Sequence, residues 1–384
     1  MRWGITLGVL LGLNAIIHNE TPAATAAVKP SETLQESWKA YVAHFIRADG
    51  RVVDHKGGGI STSEGQAYAM LRAVWLRDRA VFDKTYNWGR SNLNAGIRRD
   101  RLWAWKWGKS SQGRWQVLDT AFASDADQDV ALALILASRT WKDERYGHEA
   151  RAILADLWRL ATIDVRGRRF LLAGDKLCDG PTCRLNPSYC APYAYRIFAD
   201  FDGDREWQRV VDSSYFVLET AADLTATHLP PDWILLDTTT GRLSLPGRKD
   251  SAFSYDALRV HWRVTVDREL FGEPRATQYL KKTLPWLISQ WERTGALPAA
   301  ISSGGDELAE YESPEMLAAL MPAIQGSRPD VAAAIERKLQ SLYRKGLWAD
   351  HAGAQDSYYL QNWAWFGTAL YEKYLAPFQA SRPR

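Results

Sequence analysis

Ala123-Ser124-Asp125-Ala126-Asp127-Gln128-Asp129-Val130-Ala131-Leu132-Ala133-Leu134-Ile135-Leu136-Ala137-Ser138-Arg139-Thr140-Trp141 sets three carboxylates at every second position, directly before an apolar run that meets no charge until Arg139. Such a run reads as a buried helix. Asp and Ser favour helix starts, because their oxygens accept backbone N–H groups that lack partners in the first turn. Asp125, Asp127 and Asp129 are therefore expected to cluster around the mouth of that helix. A mouth lined with carboxylates suits sugar, metal or polyprenyl chemistry.

Helical periodicity extends outward from this segment over most of the chain. Leu34, Trp38, Tyr41, Val42, Phe45 and Ile46 form one apolar stripe behind a Thr33/Glu36 capping box. The same reasoning predicts helices over 33–47, 63–77, 79–93, 126–141, 147–162, 189–200, 204–223, 254–270, 273–293, 313–325, 327–345 and 356–374. Between them, Leu102–Leu118, Ile163–Leu172 and Trp233–Leu245 read as short β-hairpins. No composition shift or repeat divides the chain, so residues 27–384 are expected to form one domain. Twelve helices paired as inner and outer hairpins can close into an all-α (α/α)6 barrel, although an open helical array has the same periodicity.

The 384 residues carry a formal charge of +3 and no basic stripe, which argues against a nucleic-acid partner. Eighteen tryptophans fill a core and, in such number, also supply flat platforms for sugar rings. Arg2, the uncharged stretch Ile5–Ile17 and the small residues Ala24-Thr25-Ala26 read as a signal peptide over 1–26, hence periplasmic or secreted; an uncleaved anchor is the alternative. Cys178 and Cys183 flank a tight loop. A loop disulfide or reduced thiols are favoured over zinc, with Cys190 as a buried thiol.

Two further carboxylates stand apart from the opening cluster. Glu64 sits in Thr62-Ser63-Glu64-Gly65-Gln66, a helix start with Ser63 and Gln66 as a capping box and Gly59–Ser63 as a flexible approach. A helix dipole there lowers a carboxyl pKa, so a general acid at Glu64 requires burial to outweigh the dipole. Asp256 and Arg259 are three apart on one helical face: either a surface ion pair or, given their aromatic surroundings, a base kept ionised by a cation.

Ser63-Glu64-Gly65-Gln66, Ala104-Trp105-Lys106-Trp107-Gly108, Ala123-Ser124-Asp125-Ala126-Asp127, Asn186-Pro187-Ser188-Tyr189 and Tyr255-Asp256-Ala257-Leu258-Arg259 together resemble the motifs of glycoside hydrolase family 8, over residues 33 to 374. The resemblance is strongest to members associated with bacterial cellulose synthesis. It implies an (α/α)6 barrel, endo-acting inverting hydrolysis of β-1,4-glucan, no metal or other cofactor, a monomer, and an association with the cellulose synthase assembly. It also assigns roles: Glu64 general acid, Asp256 general base, Asp125 holding the distorted sugar, Arg259 and Tyr189 beside the base and its water, Trp105 a stacking platform. Xylan, mixed-linkage glucan and chitosan are the alternative substrates; the positive overall charge favours glucan over polycationic chitosan.

Other classes fit less well. A calcium loop starting at Asp125 would place Val130 where Gly is needed and Leu136 where Glu is needed. A toroidal terpene cyclase leaves Glu64 and Asp256 unexplained. A non-catalytic glycan-binding protein would keep the tryptophans but has no need of those two carboxylates. Gly-x-Ser-x-Gly, His-Glu-x-x-His and phosphate-loop motifs do not occur.

Overall fold

Twelve α-helices alternate between two kinds along the chain of the computed structural model, which describes Met1 and residues 29–375. The signal peptide expected over residues 1–26 lies outside that described part. In chain order the helices are α1 (Glu32–Phe45), α2 (Ser63–Trp75), α3 (Arg79–Gly89), α4 (Ser124–Trp141), α5 (Glu144–Leu160), α6 (Pro192–Phe201), α7 (Trp207–Asp223), α8 (Leu258–Phe271), α9 (Pro274–Thr294), α10 (Pro314–Gln325), α11 (Pro329–Ser341) and α12 (Tyr358–Tyr371). Odd-numbered helices are amphipathic: α5 buries Tyr146, Ala150, Ile153, Leu154 and Leu157, one stripe at helical spacing. Even-numbered helices are covered on nearly all sides up to their C-terminal turns. In α4 every residue from Ser124 to Ser138 is buried, and in α10 every residue from Pro314 to Ile324.

The difference follows from position in a double ring. Each even helix packs on the next, from α2 through α4, α6, α8 and α10 to α12, and α12 returns to α2. The inner ring is therefore closed, and the open helical array is excluded. Helices α3, α5, α7, α9 and α11 each pack outside the inner helix that precedes them, while α1 covers α12. The Trp365 indole of α12 donates to the Leu34 carbonyl of α1 at 3.0 Å, joining the two ends of the described chain. Because an outer helix running back separates each inner helix from the next, the N-termini of all six inner helices gather at one end of the barrel.

Short strands decorate the ring. β1 (Ser61–Thr62), β2 (Lys106–Lys109) and β3 (Trp115–Asp119) form an antiparallel sheet, and β4 (Thr162–Val165) pairs with β5 (Arg168–Leu171). β6 (Cys178–Asp179), β7 (Thr182–Leu185), β8 (Ile234–Asp237) and β9 (Leu243–Ser244) make a four-stranded sheet, and Cys178 and Cys183 face each other across β6 and β7 as a disulfide. Cys190 is a buried thiol, and burial pushes its pKa up to about 12.

Several sequence expectations are corrected. The helix cap before α1 is Ser31, whose hydroxyl accepts from Leu34 N–H at 3.3 Å, so Thr33 lies inside the first turn and forms no box with Glu36. The helix expected over 327–345 stops at Ser341, because the chain turns at Lys345 and Gly346, both at positive φ, into a hairpin of β10 (Tyr343–Arg344) and β11 (Leu347–Trp348). Helix α8 begins at Leu258 rather than 254, and α6 at Pro192 after a short 3-10 turn over Pro187–Tyr189.

Ring closure depends on one close approach. A Cβ on Gly367 of α12 would lie 2.1 Å from the Ala318 carbonyl oxygen of α10, a backbone atom that no side-chain rotation can move. Gly367→Ala is expected to lower unfolding free energy by about 2 kcal/mol or more in urea titration. A variant within about 0.5 kcal/mol of wild type would show that the α10–α12 seam is not tight.

Candidate active site

The gathered N-termini carry acidic side chains into one cleft of about 570 Å³, whose walls include Asp54, Lys56, Glu64, Tyr255, Asp256, Glu315, Tyr358 and Tyr359. Glu64 is the second residue of α2. Its helix is capped by Thr62, whose hydroxyl accepts from Gly65 N–H at 3.0 Å. Ser63 is not the cap, and its hydroxyl has no hydrogen-bond partner. Gln66 closes no capping box either: it turns into the core, accepting from Val52 N–H at 2.5 Å and donating to the Thr85 carbonyl at 2.9 Å. Nor is the approach through Ser61 and Thr62 free, since both pair in register with Trp107 and Lys106.

One guanidinium collects the catalytic candidates. Arg259, 2 % exposed, donates from Nη1 to Glu64 Oε2 at 2.8 Å and to Asp125 Oδ2 at 3.0 Å, and from Nη2 to Asp256 Oδ1 at 2.5 Å. Two oxygens held by adjacent nitrogens of a planar guanidinium lie within about 8 Å of each other, so Glu64 and Asp256 share one face of the site. Three carboxylates around a single fixed cation cannot all ionise cheaply, and the least stabilised one keeps its proton. That one is Glu64. Burial, against the pull of Arg259 and with help from the charges of Asp125 and Asp256, pushes its pKa up to about 7. Desolvation thus outweighs the dipole of α2. The Tyr358 hydroxyl donates to Glu64 Oε1 at 2.8 Å, and the Tyr68 hydroxyl lies 3.2 Å from Oε2.

The opening Asp cluster is split by helix geometry. At about 100° per residue, positions two apart fall on opposite faces and positions four apart on the same face. Asp125 and Asp129 accordingly both face α8 and meet Arg259 and Arg263, themselves four apart; Arg263 grips both oxygens of Asp129 at 3.2 and 3.0 Å. Asp127 points away and accepts from Trp103 N–H at 2.8 Å, bracing the segment that leads to Trp105. None of the three occupies the cap position of α4, which is Ala123, but Asp125 Oδ1 accepts from Ala126 N–H in the first turn at 2.9 Å. Burial raises the carboxyl pKa of Asp125, opposed by Arg259, and raises that of Asp127 well above the usual range.

Asp256 stands in a turn before α8, with its side chain 35 % exposed to the cleft. The turn is held by Asp232, which accepts from Ser254 N–H at 3.1 Å, from the Ser254 hydroxyl and from Ala257 N–H at 2.8 Å. Burial and the neighbouring Asp256 charge push the Asp232 pKa up to about 6. The Tyr189 ring centre lies 5.2 Å from the Arg259 guanidinium carbon, and its carbonyl is fixed by Gln128 Nε2 at 2.9 Å. Trp105 is adjacent to the acid through its main chain, where its carbonyl accepts from Ser63 N–H at 3.0 Å. Its partly exposed ring lies under the Lys106 ammonium, 5.2 Å away. Among the described residues no three His, Cys, Asp or Glu side chains are arranged to hold a metal ion, and the carboxylates converge on a guanidinium.

The structure thus brings together Glu64, Asp125, Tyr189, Asp256 and Arg259, with Trp105 alongside. Sequence reasoning missed Tyr358, Tyr359, Glu315 and Asp232. Tyr358 and Tyr359 fell inside an expected helix as ordinary apolar positions. Asp232 follows Pro230-Pro231 with no local pattern that reveals a partner 22 residues on.

The sequence model of glycosyl hydrolases family 8 matches residues 15–359. An endoglucanase of Escherichia coli (strain K12) is 30% identical over 327 residues, 84% of this chain and 83% of the relative. Among solved structures, the endo-1,4-D-glucanase from Vibrio fischeri ES114 is 26% identical with a TM-score of 0.75, over 87% of this chain and 94% of the other. The endo-β-1,4-glucanase of Acetobacter xylinum is 28% identical with a TM-score of 0.70, over 88% and 97%.

Replacing Asp232 tests the support under Asp256. Asp232→Ala is expected to lower kcat by roughly 10- to 100-fold with a smaller change in KM, since a misplaced catalytic group costs about that much. Asp232→Asn, which keeps an acceptor for both backbone N–H groups, should recover most of the loss. Equal kcat in wild type and Asp232→Ala would show that the turn needs no such anchor.

Proposed function

This chain belongs to glycosyl hydrolases family 8 and is an endoglucanase, and on that premise we propose that it cuts internal β-1,4 links of glucan, cellulose foremost, in a single displacement that inverts the anomeric carbon. Glu64 delivers its proton to the glycosidic oxygen. Asp256, hydrogen-bonded to Arg259, removes a proton from water attacking the opposite face of the sugar. Asp125 holds the strained sugar beside the scissile bond, Tyr189 and Arg259 border the attacking water, and Trp105 stacks on a sugar ring.

The observation that carries this reading is the shared guanidinium. It joins an acid whose pKa is raised to about 7 to a second, partly exposed carboxyl group, the two groups that acid–base hydrolysis needs. Carboxyl oxygens within about 8 Å of each other leave room for the separation of about 6.5–9.5 Å that inverting glycosidases use to fit a water.

The cleft wall supports a neutral substrate. It carries Asp54, Glu64, Asp256 and Glu315 against Lys56, a count that favours a polycation such as chitosan. Burial raises the pKa of Glu315 and of Glu64, and Arg259 pairs with Asp256, so the wall is less acidic than that count and suits an uncharged glucan. The Cys178–Cys183 disulfide supports action outside the cytoplasm, in keeping with the leader read at residues 1–26, and the motif resemblance supports a place beside bacterial cellulose synthesis.

Proton NMR of the first products from a β-1,4-glucan should show the α anomer; a β product would overturn inversion. Glu64→Gln and Asp256→Asn should each lower kcat on carboxymethylcellulose by about 10²- to 10⁴-fold, and wild-type activity in both would overturn the assignments. Because Glu64 must carry its proton, kcat/KM should fall as pH rises through about 7. The Tyr358 hydrogen bond favours the ionised carboxylate, so Tyr358→Phe should move that limb to higher pH; a limb unmoved, or one near the ordinary carboxylate range, would contradict the role of Glu64.

A further inference from the structure

Trp115 leaves 49 % of its surface in water, unusual for the largest apolar side chain, yet its ring is held in place. It stacks on Trp107 with ring centres 5.1 Å apart and planes 14° from parallel, and Trp107 is braced edge-on by Trp88 at 5.3 Å. Strand register fixes the pair: Trp107 stands opposite Val117, and Trp115 opposite Lys109, on one face of the β2–β3 hairpin. The Arg51 guanidinium lies across both rings, its carbon 4.9 Å from the centre of Trp107 and 4.8 Å from that of Trp115. Among the described residues its nitrogens make no hydrogen bond or ion pair, so its donors are free for a ligand.

The position of this group relative to the cleft gives it meaning. Asp54 and Ile60 bridge the base of a tight loop, and Lys56 and Gly57 in that loop line the cleft. A Cβ built on Gly59 would lie 4.0 Å from the Trp115 ring, and two residues of chain span at most about 7 Å. Gly57, Gly58 and Gly59 place no side chain between the cleft rim and the exposed indole.

We propose that Trp115 and Arg51 form a distal platform that binds sugar units of a β-linked glucan chain extending past the cleft rim at Gly57–Gly59. The inference rests on the glucanase reading above. The apolar C–H face of a glucose unit covers the open indole, and Arg51 donates to its hydroxyl groups. A flat ring preset by stacking on Trp107 loses little freedom when a sugar lands on it, which favours affinity. The competing explanation is a clasp, in which Trp115 only secures the hairpin against Trp107.

Chain length separates the two. Steady-state kinetics would compare the four-unit cellotetraose with a soluble β-1,4-glucan polymer, in wild type, Trp115→Ala and Trp115→Phe, with thermal unfolding of each. For Trp115→Ala the ratio of kcat/KM on polymer to that on cellotetraose is expected to fall roughly tenfold through KM, with Trp115→Phe restoring most of it. An unchanged ratio overturns the platform. So does an equal loss on both substrates accompanied by a lowered Tm, the signature of a clasp. Wild-type protein that cleaves neither substrate overturns the glucanase reading and the platform with it, a failure distinct from an unchanged ratio in an active enzyme.

Discussion

Arg259 sets the terms on which the rest of the site works. A guanidinium is always charged, planar and armed with donors in fixed directions, so it can hold several carboxylates at once without changing its own state. Here it holds Glu64 from α2, Asp125 from α4 and Asp256 from the turn before α8. Its single charge cannot compensate all three. The surplus is resolved by environment: Glu64 is covered and retains a proton, and Asp256 faces the cleft. Acid and base are thus distinguished by burial within one network rather than by residue type, since both are simple carboxyl groups.

The closed ring makes that network possible. Groups 134 and 195 residues away from Arg259 meet it because the inner helices all begin at the same end of the barrel. A second rung, Arg263 on Asp129, lies one helical turn further in and is fully covered, which fixes the rotation of α4 against α8. Breaking either buried pair would leave an uncompensated charge, so the two rungs specify one alignment of the helices. Gly367 serves the same end from the opposite side by letting α12 close against α10.

Much of this was legible in the sequence, and the reasons are local. Amphipathic stripes such as that of α5 and unbroken apolar runs such as that of α4 report outer and inner helices directly, because burial on one side or on all sides leaves different patterns. Glu64, Asp125 and Asp256 stood out as carboxylates at helix starts with apolar residues behind them. The misses share a non-local cause. The start of α8 was placed too early because Asp232, remote in sequence, holds Ser254–Ala257 as a turn. Tyr358 donates to an acid 294 residues away, a pairing no local pattern encodes. Strands β7 and β8 pair across about fifty residues, and only one of the two was expected. The separate duties of Asp125 and Asp127, by contrast, follow from helical pitch alone.

The location of the shared proton can be read directly. Carbon-13 NMR of the side-chain carboxyl of Glu64, identified by its absence in Glu64→Gln, would follow ionisation in the free protein. A midpoint near 7 is expected, falling in Asp256→Asn because a neighbouring negative charge is removed. A midpoint in the ordinary carboxylate range, near 4.5 and indifferent to Asp256, would contradict a network in which one guanidinium divides acid from base.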